Sequence, residues 1–340
     1  MLRTLLALTP VWVILGTYAI IDPFCVLYEY EDYTGKSNTH ISPAMISTET
    51  FLRNKEFLNY DSFIVGSSLV IGTKTEDWRK HLPPESSPYV FWGNGLTLEG
   101  LTSFVKYLAS ETEIRNALIP VNYETLQRIE DYDAFGPYMY AQQYFKVENG
   151  NRLVWHISWI QHYVAEFAFL ALILDYTAPD LFQAFTSPFL VKHPLHYSTV
   201  TNDYWRGDTD SIISNNADTY YTQYAEKFLI DADSSEVYER CITKRHGKCL
   251  TEVAETLKRE GVNYRLVITP HYGKKRLHPS DIAFLRSVFG KDRVYDFSGK
   301  NDISADKRNF YDPLHFRPHV GAMIMDSIYG GGDEVVDTAQ

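Results

Sequence analysis

The chain has 340 residues, of which 45% are hydrophobic and 15% aromatic, enough apolar material for one large folded domain or two smaller ones. It carries 32 basic and 43 acidic residues, so its formal net charge is -11. Proteins that bind nucleic acid normally present a basic face to the phosphates, and this charge balance therefore argues against a nucleic-acid partner.

The N-terminal segment is strongly apolar. Residues 4 to 21 contain no charged side chain, and as a helix they would be about 27 Å long, close to the hydrocarbon thickness of a bilayer. We interpret residues 1–22 as a transmembrane signal anchor. Arg3 precedes the run and acidic residues follow it, which predicts a cytoplasmic N-terminus and an extracytoplasmic remainder, periplasmic or on the cell surface. A cleaved signal peptide is the alternative, although no convincing small-x-small cleavage site follows the run.

The chain contains three cysteines, and Cys241 and Cys249 flank a short polar turn. Outside the cytoplasm these two could form a disulfide, with a stabilisation of about 2.5 kcal/mol on the chain-entropy model. Two free thiols are the alternative. Neither CxxC pairs nor paired histidines at metal-ligand spacing accompany them, so we expect no metal site.

Short apolar runs alternate with amphipathic stretches from Asp61 onward. This order predicts strands of a parallel sheet separated by helices, and hence a three-layer α/β/α domain over residues 59–330. Residues 23–58, which lack clear periodicity, are interpreted as a stalk or lead-in segment. The predicted strands are 62–65, 89–92, 117–121, 264–269 and 293–297, and the predicted helices are 96–110, 250–261 and 319–330.

An aromatic insert interrupts the strand and helix alternation at about residues 131–231. Its most apolar part, residues 152–174, contains Glu166 and two histidines, which argue against a second transmembrane helix. It is interpreted as a core helix, with contact to a membrane or partner as the alternative. The last residues, 331–340, are expected to form a disordered tail.

Polar residues follow the predicted strands at positions where an open α/β sheet places its site. Ser68, Gly95 and Asn122 follow the first three strands, and Asp312 and His315 lie just before the last helix. These residues supply the parts of an acyl-transfer site: a hydroxyl nucleophile, a base, a carboxylate that orients the base, and donors for an oxyanion.

The same residues resemble the SGNH or GDSL hydrolase family. The family has Gly-Asp-Ser after its first strand, where this chain has Gly66-Ser67-Ser68, and Asp-x-x-His near its C-terminus, where this chain has Asp312 and His315. The resemblance covers about residues 61 to 329 and implies a flavodoxin-like parallel sheet. The chain departs from the pattern at Ser67 and in the third block, where it has Pro120-Val121-Asn122-Tyr123.

The resemblance implies roles for individual residues. Ser68, Asp312 and His315 would be catalytic, and Ser68, Gly95 and Asn122 would form the oxyanion hole, with Gly93 or Gly100 as alternatives to Gly95. Trp92 and Arg317 are weaker candidates for contact with the substrate.

A membrane-anchored member of this family is expected to transfer an acyl group, such as acetyl, to an extracytoplasmic polysaccharide. It would need an acyl donor and a glycan acceptor but no cofactor, and by analogy it would work beside a multi-pass membrane O-acyltransferase. The alternatives are an acyl esterase and a non-catalytic adaptor of a polymer modification or export complex.

Overall fold

The computed structural model describes residues 9, 11–13, 15–16, 18–20, 22, 24–34, 41–129, 156–157, 159–161, 177–178, 196–229 and 236–330. The chain divides into two compact units. The first contains residues 1–48 and 135–196, and the second contains residues 49–134 and 197–340. Much of the predicted insert, most of its apolar stretch 152–174 and the predicted tail 331–340 lie outside the described residues.

The described part of the first unit contains a local turn centred on Asp22. The two carboxylate oxygens of Asp22 accept hydrogen bonds from the backbone N–H groups of Val26, Leu27 and Tyr28. Phe24 is fully buried, and its ring centroid lies 4.8 Å from that of Trp159. The Asp22 carboxylate therefore supplies the hydrogen-bond acceptor for three backbone N–H groups of the turn.

The second unit contains a five-stranded sheet in which every strand is parallel to its neighbours. The order across the sheet is β2-β1-β3-β4-β5, and all five predicted strands are confirmed. Almost every strand residue is buried, which explains why the strands could be predicted from continuous apolar runs. The strands are β1 Ser62–Gly66, β2 Pro88–Trp92, β3 Asn116–Val121, β4 Asn263–Ile268 and β5 Val294–Asp296.

Helices cover both faces of the sheet, which fits the predicted three-layer arrangement. On one face, Phe51 of the helix α1 packs against the rings of Phe63, Tyr89 and Phe91. On the other face, Ile64 belongs to a core cluster with side chains of the C-terminal helix. The helices are α1 Pro43–Leu58, α2 Thr75–Arg79, α3 Leu98–Glu111, α4 Tyr123–Gln127, α5 Gly207–Gln223, α6 Lys244–Arg259, α7 Pro279–Phe289, α8 Asp302–Ala305 and α9 Pro318–Tyr329.

The three predicted helices correspond to α3, α6 and α9, with ends that differ by a few residues. Helix α6 begins earlier than predicted, because Thr243 and His246 form a reciprocal capping box at its first turn. Gly261 follows α6 with a φ of 68°, as expected for the glycine that ends a helix. The segment 23–58, which was interpreted as a stalk or lead-in, contains the sixteen-residue helix α1. This helix was not predicted from the sequence.

The predicted anchor is only partly within the described residues, since residues 1–8, 10, 14, 17 and 21 fall outside them. Among the residues that the structure does describe, no helix has both the length and the apolar character required to span a bilayer. The anchor therefore stays a prediction.

The predicted disulfide between Cys241 and Cys249 is not formed, and both residues are buried with free thiols. The two residues have separate environments. The backbone N–H of Cys241 donates to the Asp281 carboxylate at 2.9 Å, whereas Cys249 lies inside α6 and accepts a hydrogen bond from Thr102 through its carbonyl oxygen. Burial raises the pKa of the Cys241 thiol to about 12, so this thiol is protonated and unreactive at neutral pH.

The first turn of α9 packs against the turn that follows β1 at two glycines. A Cβ atom on Gly321 would lie 1.9 Å from the carbonyl oxygen of Gly72, and one on Gly72 would lie 2.3 Å from the ring of Phe316. The atom nearest to a Cβ on Gly321 is a backbone oxygen, which cannot move aside as the end of a side chain can. The close approach of the two glycines therefore places the loop before α9 beside the end of β1.

We expect Gly321→Ala to lower the free energy of unfolding by about 2 kcal/mol or more, because the new methyl group forces α9 away from Gly72. Urea unfolding at neutral pH measures this change. Met323→Ala, at a side chain that is 49% exposed on the same helix, is the control and should change stability by less than about 0.5 kcal/mol. Equal unfolding midpoints for Gly321→Ala and the unaltered protein would contradict the close packing.

Candidate active site

The candidate site lies where the connections of the sheet reverse direction. The chain passes from β1 to β2 on one side and then crosses to β3 on the other side of β1. The loops that leave the carboxyl ends of β1 and β3 therefore diverge and leave a crevice between them. Ser68 and Asn122 begin these two loops, so the topology alone brings them to one edge of the sheet.

Ser68 opens a short 3-10 turn, Ser68–Gly72, directly after β1. The residues that follow it in the turn, Leu69 to Gly72, are buried, and they fix the turn against the core. Ser68 itself is partly exposed, and its Oγ lies 2.9 Å from Nε2 of His315. The hydroxyl is thus held by a rigid turn while it faces an imidazole from the far end of the unit.

The acid and base residues share one tight turn. The backbone N–H of Tyr311 donates to the carbonyl oxygen of His315, and Oδ1 of Asp312 accepts from the backbone N–H groups of Leu314 and His315. The same carboxylate lies 2.8 Å and 2.9 Å from Nδ1 of His315 through its two oxygens. The Asp-x-x-His spacing therefore closes a turn in which the aspartate orders the backbone and the imidazole together.

The charge of Asp312 determines how the imidazole is protonated. Burial would raise the pKa of this carboxyl, but hydrogen bonds from His315 and the positive charges of His315 and Arg206 outweigh burial and hold the pKa well below its usual range. An ionised carboxylate can only accept hydrogen bonds, so Nδ1 of His315 carries a proton. In the neutral imidazole, Nε2 then presents its lone pair to the Ser68 hydroxyl.

Helix α5 supports the acid and base turn. Arg206 precedes this helix, and its guanidinium donates to Oδ2 of Asp312 at 3.4 Å. The hydroxyl groups of Tyr220 and Tyr221 donate to the carbonyl oxygens of Tyr311 and Phe310 at 2.7 Å and 2.8 Å. The end of the predicted insert thus fixes the backbone and the charge of the turn that holds the candidate base.

Asn122 presents an amide donor beside Ser68. It caps α4, and its Oδ1 accepts hydrogen bonds from the backbone N–H and the hydroxyl of Thr125 at 2.9 Å and 3.0 Å. These two donors orient the amide so that its NH₂ group is left to donate elsewhere. Among the described residues the NH₂ group has no partner, and Asn122 lines the same pocket as Ser68.

Hydrogen bonding distinguishes the three glycines considered for the oxyanion site. The N–H of Gly93 donates to the carbonyl oxygen of Gly66, and that of Gly100 donates to Oγ1 of Thr97. Gly95 has a φ of 62° and lines the pocket, and its N–H has no acceptor among the described residues. Of the three, Gly95 is the residue whose amide remains available to an oxyanion.

These residues surround a pocket with about 310 Å³ of empty space that is open to solvent. Ser68, Gly95 and Asn122 lie on its wall together with Glu124 and Leu314. The pocket therefore combines a nucleophile with several donors at one place, which is what the addition of an alcohol to a carbonyl requires.

The structure does not place the two weaker candidates, Trp92 and Arg317, at the pocket. Trp92 is 4% exposed and belongs to the core, with its ring centroid 5.4 Å from that of Tyr204. Arg317 lies at the start of α9, where its guanidinium donates to the carbonyl oxygen of Arg308 at 3.2 Å. Both side chains have structural contacts that account for their positions.

Sequence reasoning missed Arg206 and Glu124. Arg206 is 106 residues from Asp312, and nothing in its surroundings in the sequence indicates a carboxylate partner. Glu124 could have been found, because it follows Asn122 by two residues at the start of a helix that leaves the carboxyl end of β3. In the described part of the chain, no cluster of three histidine, cysteine, aspartate or glutamate residues is arranged to hold a metal ion.

No protein-family model matches the chain, and a search of curated proteins finds no match, so the interpretation depends on the residues and their geometry.

Proposed function

We propose that the protein is a serine-dependent O-acyltransferase of the SGNH hydrolase type, which transfers an acyl group, such as acetyl, to a hydroxyl of an extracytoplasmic polysaccharide. The observation that carries this proposal is the chain of contacts from Ser68 Oγ to His315 Nε2 at 2.9 Å and from His315 Nδ1 to Asp312 at 2.8 Å. The strand order 2-1-3-4-5, which is the flavodoxin-like order, supports the family resemblance.

In the first half of the reaction, Oγ of Ser68 attacks the carbonyl carbon of an acyl ester while Nε2 of His315 takes the hydroxyl proton. The amides of Ser68 and Gly95 and the NH₂ group of Asn122 stabilise the oxyanion. When the intermediate collapses, the bond to the leaving alcohol breaks, and His315 gives its proton to that alcohol. An acyl ester on Ser68 remains.

In the second half, a hydroxyl of the acceptor glycan attacks the acyl-enzyme. His315 takes its proton, the new ester bond forms, the bond to Ser68 Oγ breaks, and the proton returns to Oγ. Water can replace the glycan in this step, which gives an esterase. Hydrolysis is the competing outcome because the pocket is open to solvent.

The predicted anchor favours transfer over hydrolysis. An enzyme tethered at the membrane meets a nascent envelope polymer at a high effective concentration, whereas a scavenging esterase gains little from a tether. Membrane-anchored proteins of this type work beside a multi-pass membrane O-acyltransferase, which brings the acyl group across the bilayer, and we propose such a partner by analogy. The alternative is a non-catalytic adaptor that keeps the fold to bind glycan.

Two assays test the proposal. A fluorophosphonate probe should label the protein through Ser68, and an activated acetyl ester with an oligosaccharide should give acetylated glycan by mass spectrometry. Absence of labelling in folded protein, with the probe active on a known serine esterase, would favour the adaptor. Labelling accompanied by release of free acetate alone, across a panel of neutral and anionic oligosaccharides, would assign the protein as an esterase.

A further inference from the structure

Among the residues that the structure describes, Glu124 is the one that brings a carboxyl group to the wall of the Ser68 pocket. It lies on the first turn of α4, two residues after Asn122, and the cap of that helix fixes its backbone. Its side chain is only partly exposed, and it is close enough to His315 for the charge of the imidazolium to stabilise the carboxylate. Glu124 and Ser68 therefore line the same pocket.

One oxygen of this carboxyl group is left without a partner. Oε2 of Glu124 is fully buried and has no hydrogen bond within the described residues. Burying a polar oxygen without a partner costs about 1–3 kcal/mol, and more when the group is charged. Burial accordingly raises the pKa of Glu124, although the nearby imidazolium of His315 lowers it in part. This oxygen therefore keeps its full capacity to accept a hydrogen bond.

The charges around the pocket indicate which kind of ligand group could donate a hydrogen bond to Glu124. Arg128 also lines the pocket and forms no ion pair with Glu124 among the described residues. His315 becomes positive whenever it holds the Ser68 proton. A cationic ligand group would be repelled by both of these residues, whereas a neutral hydroxyl can donate to Glu124 without this cost.

Next to Glu124 in the chain, Tyr123 forms a stacked pair with Tyr238 outside the residues that line the Ser68 pocket. Tyr123 and Tyr238 are stacked with ring centroids 4.0 Å apart and planes 7° apart, and Tyr238 is near enough to Glu124 to feel its charge. Both rings are partly exposed. An aromatic surface next to a hydrogen-bonding carboxyl group matches a sugar, which presents C–H groups on one face and hydroxyls at its edge.

From these contacts we propose that Glu124 is a specificity-determining residue that accepts a hydrogen bond from the acceptor hydroxyl adjacent to the one that receives the acyl group. This inference rests on the proposed function, because it assigns the acceptor side of the same pocket. It concerns the second half of the reaction and leaves the formation of the acyl-enzyme to Ser68, His315 and Asp312.

The first experiment compares acceptors. Transfer from the acetyl-enzyme is measured to methyl glycosides of glucose, galactose, mannose and N-acetylglucosamine and to their monodeoxy analogues. We expect the unaltered protein to lose about tenfold in transfer rate when the adjacent hydroxyl is missing, and Glu124→Ala to lose this discrimination. Glu124→Gln, which keeps one acceptor oxygen, should retain part of it.

Two controls accompany this comparison. Fluorophosphonate labelling of Ser68 in each Glu124 variant gives its acylation rate, and the partition of the acetyl-enzyme between glycoside and water then reports on the acceptor step alone. Glu113→Gln, at a carboxylate whose side chain is 75% exposed, should keep the discrimination of the unaltered protein. Slower acylation in Glu124→Gln, with unchanged partition between glycoside and water, would overturn the proposal, since Glu124 would then contact the acyl donor.

A binding experiment separates this inference from the proposed function. The same glycosides are titrated by calorimetry into Ser68→Ala, which cannot form an acyl-enzyme, and into Ser68→Ala/Glu124→Ala. We expect the second substitution to weaken binding by about fivefold or more, whether or not the unaltered protein transfers acyl groups. Equal affinity, or no binding of any glycoside to Ser68→Ala, would overturn the role of Glu124.

Discussion

Ser68→Ala is expected to abolish fluorophosphonate labelling and to lower kcat for acyl transfer by about 10⁴- to 10⁶-fold. The substitution removes the hydroxyl oxygen that lies 2.9 Å from Nε2 of His315, so the proposed acyl ester on Ser68 cannot form. Single-turnover assays with an activated acetyl ester measure the loss. The fold should be unaffected, because Ser68 Oγ is engaged with His315 and not with the core.

The matched control for this prediction is Ser67→Ala, which removes the adjacent hydroxyl. Ser67 is 6% exposed and precedes the 3-10 turn. The Ser67→Ala variant should keep both fluorophosphonate labelling and most of the turnover. The double substitution Ser68→Ala/His315→Ala should cost little more than Ser68→Ala alone, because the two residues act as a unit. Full labelling of Ser68→Ala would contradict the assignment of the nucleophile.

Asp312→Asn is expected to lower kcat by about 10³- to 10⁴-fold at neutral pH while the fold persists. The new amide can donate to Nδ1 of His315, which moves the imidazole proton to Nε2. Nε2 of His315 then already carries a proton and cannot accept the proton of the Ser68 hydroxyl. Rates of acyl transfer and of probe labelling should fall together, and an unchanged labelling rate would show that Asp312 does not set the protonation of His315.

The same substitution should change how stability depends on pH. The folded-state pKa of Asp312 is depressed, so its contribution to the free energy of unfolding is present above its unfolded pKa of about 3.9 and is lost as pH falls through the folded pKa. The stability difference between the unaltered protein and Asp312→Asn should therefore shrink between pH 5 and pH 2, to an extent on the order of 1 kcal/mol. Parallel stability curves for the two proteins over this pH range would contradict the depressed pKa of Asp312.

The strands were predictable because parallel strands buried on both faces read as continuous apolar runs. The runs 62–65 and 117–121 could be recognised as strands without knowledge of the neighbouring strands. Because these two strands are adjacent and parallel in the sheet, their carboxyl ends bring Ser68 near Asn122. Helix α1 was not recognised, since its buried residues do not follow a clear amphipathic pattern. Its core residue Phe51 packs against strands that follow it in the chain.

The supports of the candidate site depend on contacts between distant residues, and single-sequence reasoning has no access to these. Arg206 donates a hydrogen bond to the Asp312 carboxylate although the two residues are 106 positions apart in the sequence. Gly321 likewise approaches Gly72, and the other four strands of the sheet lie between these two glycines in the sequence. The prediction of a disulfide between Cys241 and Cys249 was wrong for the same reason, because it did not take account of contacts with distant residues. Spacing alone suggested a small loop, whereas the structure assigns Cys241 to a hydrogen bond with Asp281 of α7.

Under the proposed function, the glycine contact between α9 and the turn after β1 would also determine when Ser68 and His315 can act together. Ser68 and His315 are 247 residues apart, so a chain that is made from its N-terminus contains the proposed nucleophile long before the proposed base. Until the last helix docks against Gly72, the serine is an ordinary alcohol and cannot react with passing esters. On this proposal, a chain that lacks α9 would not hold His315 beside Ser68 and would be inactive.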